Sequence, residues 1–245
     1  MMKKIAIGLL VVALIVGAGL YYLLANLDGI VKNAIERYAS AALQTTVRLD
    51  KVSLDLKDGQ GKLEGLHVMN PPGFTGPEAA KLSAIRVKLD TGSLQGSGPV
   101  VVREITIDAP EVMFEHTPNG SNFEVLRKSA RTYAARGQTG APPAEGEKGP
   151  PPDSGRKLII DDLYIRNGQV AVSESLAPGE LLHATLPVVH VSNIGKAKGG
   201  ATPAEISDSV MGALTSAATA VAAQEIARYA MGKAAKGALD GIFGR

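Results

Sequence analysis

Residues 105–114 are Ile-Thr-Ile-Asp-Ala-Pro-Glu-Val-Met-Phe, and this stretch decides the fold. Apolar and polar residues alternate on both sides of Ala109-Pro110, which is typical of two strands joined by a turn. The pattern returns without gaps over residues 163–172, Leu-Tyr-Ile-Arg-Asn-Gly-Gln-Val-Ala-Val, and a looser copy occupies residues 54–63. Each copy predicts a β-hairpin, so the repeat predicts a sheet built from antiparallel pairs of strands.

Alternation elsewhere along the chain extends this sheet to about eight strands. Asp58-Gly59 is a common hairpin turn. The motif Asn70-Pro71-Pro72-Gly73-Phe74 must interrupt the strands, because proline cannot donate to a ladder and Gly73 can adopt a positive φ. One face of the predicted sheet is apolar, and it forms either a buried core or an open groove. Its candidate core or lipid-facing residues are Val52, Leu54, Leu56, Leu63, Ile105, Ile107, Val112, Phe114, Leu163, Ile165, Val170 and Val172.

The N-terminal region contains an uncharged, aliphatic stretch from Ile5 to Leu24. About 20 such residues form a helix of about 30 Å, the thickness of the hydrocarbon core of a bilayer. Because Lys3 and Lys4 precede it, the positive-inside rule predicts a cytoplasmic N-terminus and a translocated remainder. The alternative is a cleavable signal peptide with a small-residue site at Val16-Gly17-Ala18. The apolar run continues beyond that site, which favours an uncleaved, single-pass signal-anchor.

The rest of the chain divides by composition and by the period of its apolar residues. A helix near Ser121 or Asn122 is expected inside the β-hairpin module, and the loop after it is too rich in proline, glycine and charge to order. The expected segments are 1–25 (cytoplasmic N-terminus and transmembrane helix), 26–45 (juxtamembrane helix), 46–136 (β-hairpin module), 137–156 (disordered loop), 157–195 (second part of the sheet) and 202–245 (C-terminal helical segment).

The C-terminal helix begins at Thr202-Pro203-Ala204-Glu205, a capping box with proline at the first helical position. The uncharged stretch that follows is short and rich in alanine, which makes it a poor second span. We expect it to pack on the sheet; the alternative is that it lies on a membrane surface, helped by Lys233, Lys236 and Arg245. The predicted fold class is therefore α+β: a single N-terminal transmembrane helix, then a curved antiparallel sheet of about eight strands with a juxtamembrane helix and an Ala-rich C-terminal helix.

Composition argues against several classes of function. The chain has no cysteine, no tryptophan, 4% aromatic residues and a net charge of +2, so neither thiolate metal sites nor nucleic-acid binding is expected. The four histidines show no metal-ligand spacing, and Asp161-Asp162 are neighbours whose side chains point to opposite faces of a strand. We expect no catalytic site, metal site or cofactor, and the sequence does not indicate an enzyme.

Several of these segments resemble the AsmA-like family of bacterial envelope proteins. The resemblance covers residues 47–126 and 158–191, about half of the chain. It is carried by residues 49–56, 61–66, 105–112 and 163–170, and most specifically by the Asn70–Phe74 motif. It implies a β-groove akin to chorein-type lipid carriers, held at the inner membrane with its bulk in the periplasm, whose apolar trough takes phospholipid acyl chains. About eight strands span only about 40 Å, so this chain is too short to bridge two membranes alone.

Two functions from different classes remain in competition. The first is phospholipid handling or transport, or outer-membrane biogenesis, with membrane lipids as partners in an open apolar groove. The second is a non-enzymatic assembly or scaffold factor, in which the apolar face is an ordinary core and other envelope proteins bind sheet edges or the C-terminal helix. A covered face favours the second function, and an open face favours the first.

Overall fold

The computed structural model describes residues 26–118, 120–139, 156–174 and 181–243. The predicted membrane helix Ile5–Leu24 lies outside these residues, and so does most of the segment 137–156, in which disorder is expected.

The described chain contains both helices and strands, and most of the strands lie in the first two thirds of the sequence. The helices are α1 (Leu27–Leu43), α2 (Thr91–Leu94), α3 (Asn122–Thr139) and α4 (Pro203–Phe243), with a 3₁₀ turn at Lys196–Lys198. The strand segments are β1 (Val47–Asp55), β2 (Gln60–Met69), β3 (Glu78–Leu89), β4 (Val100–Asp108), β5 (Glu111–Thr117), β6 (Gly120–Ser121), β7 (Leu158–Arg166), β8 (Gln169–Glu174), β9 (Leu181–Thr185) and β10 (Val189–Ile194).

Over the described residues, nine of these ten segments align into six long strands of one sheet. β4 and β5 pair one after the other with β3, β7 and β8 pair in the same way with β4 and β5, and β10 and β9 pair with β7 and β8. The order across the sheet is β1, β2, β3, β4–β5, β7–β8, β9–β10, and β6 pairs with the end of β5.

The two close copies of the repeat lie side by side in parallel register. Ile105 pairs with Leu163 and Phe114 with Val172, and the same offset of 58 residues holds along the whole β4–β5 and β7–β8 strands. The prediction that each copy is a hairpin is therefore wrong for these two. Only the looser copy at residues 54–63 is a hairpin, in which Leu54 pairs with Gly61.

A line of backbone breaks, here called the crease, crosses the sheet at the turn-forming residues. Gly65, Ala109 and Asn167 have φ values of 64°, 48° and 56°, and Leu186-Pro187-Val188 separates β9 from β10. Each break bends one strand in place, because the ladder continues on both sides: the N–H of Ala109 donates to the carbonyl of Arg166 at 2.9 Å and that of Gln169 to Pro110 at 2.8 Å.

The crease keeps the apolar residues on one face of the sheet. Ile107 and Val112 are five residues apart, as are Ile165 and Val170, and in a regular strand an odd step would place them on opposite faces. The positive φ at Ala109 or Asn167 turns the backbone and brings the second residue of each pair back to the face of the first. Both members of each pair therefore point into the core.

Helices α1, α3 and α4 pack together over the apolar face. Phe123 and Leu126 of α3 are fully enclosed, and the ring of Phe123 stacks on Phe114 at 6.2 Å between centroids. α4 runs antiparallel to α3: Arg131 pairs with Asp208 at 3.1 Å, and Arg127, one turn earlier in α3, lies against Gly212, one turn later in α4. The predicted capping box of α4 is confirmed: Thr202 N–H donates to the Glu205 carboxylate at 2.9 Å, and Glu205 N–H donates to the Thr202 hydroxyl at 3.3 Å.

The predicted fold class is wrong in two respects. The described sheet is mixed, because the β4–β5 and β7–β8 strands are parallel, and it has ten strand segments instead of eight antiparallel strands. Six strands spaced about 4.8 Å apart give a sheet about 24 Å wide, which is narrower than the width of about 40 Å that the sequence predicted. Within the described residues, the one helix that is long and apolar enough to cross a membrane is C-terminal, at Pro203–Lys236, although the sequence indicated a poor span there.

Candidate functional site

The candidate core or lipid-facing residues line up in rows across one face of the sheet. One row joins Val52, Leu63, Ile85, Ile107 and Ile165 through consecutive strand pairings. Further rows contain the other strand candidates: Leu54, Ile105 and Leu163 towards one end, and Val112, Phe114, Val170 and Val172 towards the other.

Most of this apolar face is covered by the helix layer. Ile165 is 1% exposed, and the neighbouring Val170 and Val172 are fully enclosed beneath α3 and α4. Val52, Ile107, Val112, Phe114 and Leu163 are buried as well. The central rows therefore form an ordinary hydrophobic core, in which each enclosed Val or Ile side chain contributes about 1.5–3 kcal/mol.

Cover becomes thinner near the start of α1. Leu54, Leu63 and Ile105 are half-buried, and Leu56 lies beyond β1 and is 39% exposed. A cavity of about 390 Å³ opens here, and it is lined by Leu54, Gly61 and Val87 together with polar and charged residues that include Asp28, Lys62 and Arg86. It lies beside the first turn of α1, since the N–H of Leu54 donates to the carboxylate of Asp28 at 3.0 Å.

The Asn70–Phe74 motif forms the connection between β2 and β3, as its composition predicts. Asn70 closes the loop on itself, because its side-chain amide donates to the carbonyl of Gly76 at 2.9 Å. The hydroxyl of Thr45, just after α1, donates to the carbonyl of Met69 at 3.2 Å. The loop is therefore closed on itself by Asn70, and its first end is attached to the end of α1 by Thr45.

Asn122, the first residue of α3, joins that loop to the core. It has no solvent exposure, and every hydrogen-bonding position of its side-chain amide is used. Its nitrogen donates to Asn70 Oδ1 at 2.8 Å and to the carbonyl of Met113 at 2.7 Å, while its oxygen accepts from the N–H groups of Glu115 and Phe123. A fully satisfied buried amide fixes one arrangement of its neighbours, because any shift would leave a buried polar group unpaired.

Glu115 is the second buried polar residue beside this loop. It is 5% exposed, and its carboxylate accepts hydrogen bonds from the backbone of Thr75 and Gly76 and from the Thr75 hydroxyl, at 2.8–3.0 Å. Burial by itself would raise the pKa of Glu115, but the bonds donated by Gly76 and Thr75 outweigh it and lower the pKa below the ordinary value.

The sequence did not indicate Glu115 as a site residue, and Asn122 was expected only near a helix N-cap. Their bonds to the β2–β3 connection join residues 39–52 positions apart, so no local spacing marks this attachment. The one available signal is the Ser121-x-x-Glu124 spacing of a capping box, which places the start of α3 here: Ser121 N–H donates to Glu124 at 2.8 Å and Glu124 N–H to the Ser121 hydroxyl at 3.2 Å.

One outer edge of the sheet, at β1, is covered by α1. The N–H of Leu49 donates to Glu36 Oε1 at 2.8 Å and that of Val47 to the Ser40 hydroxyl at 2.9 Å. Because Asp28 accepts from Leu54 in the same way, side chains of α1 replace the neighbouring strand that this edge lacks.

The other edge, formed by β9 and β10, has no such cover among the described residues. Both segments pair only inwards, with β8 and β7. Val188, between them, is 65% exposed, and Leu181 at the end of the edge is 48% exposed. A strand edge that combines free backbone groups with exposed apolar side chains is suited to accept another strand.

The opposite face of the sheet carries ion pairs. Lys88 and Glu104 pair across strands at 3.0 Å, and the hydrogen bond from Lys88 lowers the pKa of the Glu104 carboxyl. His190 Nε2 lies 2.7 Å from Asp162, and the His190 ring stacks on Tyr164 at 4.4 Å. No group of three or more acidic, histidine or cysteine side chains in the described part of the chain could hold a metal ion. These solvent-exposed pairs join neighbouring strands, and each contributes little to the stability of the fold.

Comparison with known proteins adds no assignment. No protein-family model matches the chain, and no curated protein matches it.

Proposed function

We propose that this protein is a non-enzymatic assembly factor of the bacterial envelope. It binds a partner protein, one strand of which pairs with the β9–β10 edge of the sheet. The observation that carries the proposal is the contrast between the two edges of the sheet. The β1 edge is bonded to α1 through Asp28, Glu36 and Ser40, whereas the β9–β10 edge is open in the described chain.

The covered apolar face supports the same conclusion. An open trough for acyl chains needs a continuous uncovered row, but the central rows around Ile165, Val170 and Val172 are enclosed by helices. A stable core of this kind makes a rigid support, and a rigid sheet edge binds a strand with little loss of entropy.

The proposed place of action rests on sequence. The apolar stretch Ile5–Leu24 preceded by Lys3 and Lys4 supports a bacterial inner-membrane protein with its bulk in the periplasm. The resemblance to AsmA-like envelope proteins supports the same compartment.

The test is site-specific photocrosslinking in cells that express the full chain. A photoreactive residue at Val188 should capture one defined protein, whereas the same residue at Leu56, which is exposed on the far side of the sheet, should not. The captured peptide, made synthetically, should then slow hydrogen exchange of the β9–β10 amides in the purified protein and leave the β1 amides unchanged.

A charged edge is the matched variant. L181K/V188K should abolish both the crosslink and the exchange protection without lowering thermal stability, because both side chains are exposed. Protection elsewhere in the protein, or a captured peptide that does not bind the edge, would refute the proposal.

A second candidate, phospholipid handling, is favoured by the cavity beside the first turn of α1. Its volume of about 390 Å³ is within the range of small-ligand pockets, and Leu54, Gly61 and Val87 contribute to its lining beside polar and charged residues. Crosslinkers at Leu54 and Val87 should label phospholipid, and one at the buried Ile165 should not. Absence of lipid from the purified protein and from all these positions would exclude this candidate.

A further inference from the structure

We propose that the distal part of α4, residues 226–243, binds the surface of an anionic lipid bilayer. This goes beyond the proposed function and does not depend on a partner strand. The 41 residues of α4 form a helix of about 61 Å, far longer than the width of the sheet on which it packs.

Packing is confined to the first half of α4. Met211, Thr215, Ala218 and Ala222 recur at helical spacing and are buried against α3 and the sheet. Beyond Ile226, contact with the core ends, and residues 230–236 are all exposed.

The exposed part has the charge and the apolar surface that an anionic bilayer attracts. Residues 226–243 contain three cations, Arg228, Lys233 and Lys236, and one acidic residue, Asp240. Met231 is 65% exposed, and it lies about 200° and about 140° around the helix axis from Lys233 and Lys236, so its side chain and the two lysines occupy different faces. Arg228 lies about 60° from Met231 and pairs with Glu225 at 2.8 Å.

The same distribution argues against a membrane-spanning role for α4. One face of the uncharged part of the helix packs on the protein through Met211, Ala218 and Ala222, and to insert this part would expose the core beneath it. The part that is free of the protein carries three cations, whose transfer to the bilayer centre is costly. A helix with this pattern is stable at the interface, with its cations among anionic headgroups.

The absence of cysteine permits a direct test in the full chain. M231C labelled with an environment-sensitive NBD dye is reconstituted in vesicles of phosphatidylcholine, alone or with one quarter phosphatidylglycerol. We expect a blue shift of emission, and quenching by brominated acyl chains, only with phosphatidylglycerol and only at low salt. V188C, equally exposed on the sheet edge, should show neither change.

Charge reversal separates this contact from membrane attachment elsewhere in the chain. K233E/K236E should reduce the bilayer-bound fraction of the labelled helix about tenfold or more, whereas K51E/K57E, an equal charge change at exposed sites in β1 and in the turn after it, should not. An unshifted spectrum in both vesicle types would overturn the proposal. So would a concentration-dependent shift in detergent without lipid, which would identify a second copy of the helix as the occupant.

Discussion

The backbone N–H of Gly76 donates a 3.0 Å hydrogen bond to the carboxylate of Glu115, which lies 39 residues later in the chain. Through this bond and those from Thr75, the β2–β3 connection is attached to the central β4–β5 strand. Asn122 makes the second attachment through Asn70. The loop motif by which the chain resembles a family of envelope proteins is therefore held by buried polar side chains, and these should dominate its rigidity.

Replacement of Glu115 by Gln should destabilise the protein by about 1–3 kcal/mol. The side-chain NH2 group of Gln would face the N–H and O–H groups of Thr75 and Gly76, and a donor cannot accept their hydrogen bonds. Urea unfolding of the full chain in detergent measures this loss. Glu111→Gln is the matched control, since Glu111 is exposed on the same strand and should change stability by less than about 0.5 kcal/mol. Equal stability of the two variants would show that the loop bonds contribute nothing.

The contribution of Glu115 should also depend on pH. Its pKa in the folded protein is lowered below the ordinary value of 4.5, so folding favours the ionised carboxylate. The stabilisation is therefore complete above pH 4.5 and is lost as the pH falls through the folded-state pKa. The stability difference between the wild type and Glu115→Gln should shrink in acid; a difference that grows below pH 4.5 would reverse the assigned sign.

Ala109 has a positive φ of 48°, a conformation that costs a residue with a Cβ about 1 kcal/mol. Ala109→Gly should therefore leave stability unchanged or raise it by up to about 1 kcal/mol. Ala84→Gly, inside the regular part of β3, should lower it by about 0.5–1 kcal/mol. If both glycines destabilise equally, the bend at Ala109 is not strained.

Local patterns in the sequence predicted single elements well. The helix expected at residues 26–45 is α1 at Leu27–Leu43, and the capping box Thr202–Glu205 begins α4. Such features depend on side chains within one turn of each other, so spacing alone reveals them. The apolar residues of the repeat were also recognisable, because their alternation is a property of each strand.

Strand pairing could not be predicted in the same way. Ala109-Pro110 and Asn167-Gly168 are typical turn formers, and they suggested hairpins. In the structure a single positive φ at each site bends the strand without reversing it, and the choice is made by the long-range register between β4–β5 and β7–β8. The bonds by which Glu115 and Asn122 hold the β2–β3 connection also join residues 39–52 positions apart, so this attachment had no local signature.

Truncation of two of the candidate core or lipid-facing residues should lower the stability of the protein by very different amounts. Ile165 is 1% exposed, and Ile165→Ala should cost about 2–5 kcal/mol, because it leaves a cavity beneath the helix layer. Leu56→Ala, at a residue 39% exposed, should cost less than about 1 kcal/mol. Urea unfolding in detergent compares them. A small loss of stability in Ile165→Ala would mean that the helix layer does not pack closely on the apolar face. That result would favour the open groove of the phospholipid-handling candidate.

The cover of the β1 edge predicts a local effect at Leu49. Glu36→Ala removes the acceptor of the Leu49 N–H, so exchange of that amide should accelerate about tenfold. Glu36→Gln keeps a carbonyl acceptor and should restore most of the protection. Asn33→Ala, at an exposed residue of the same helix, should leave it unchanged. Residue-resolved hydrogen exchange distinguishes these variants. Unaltered protection of Leu49 in Glu36→Ala would show that the edge is closed by packing alone, and the contrast with the open β9–β10 edge would lose its physical basis.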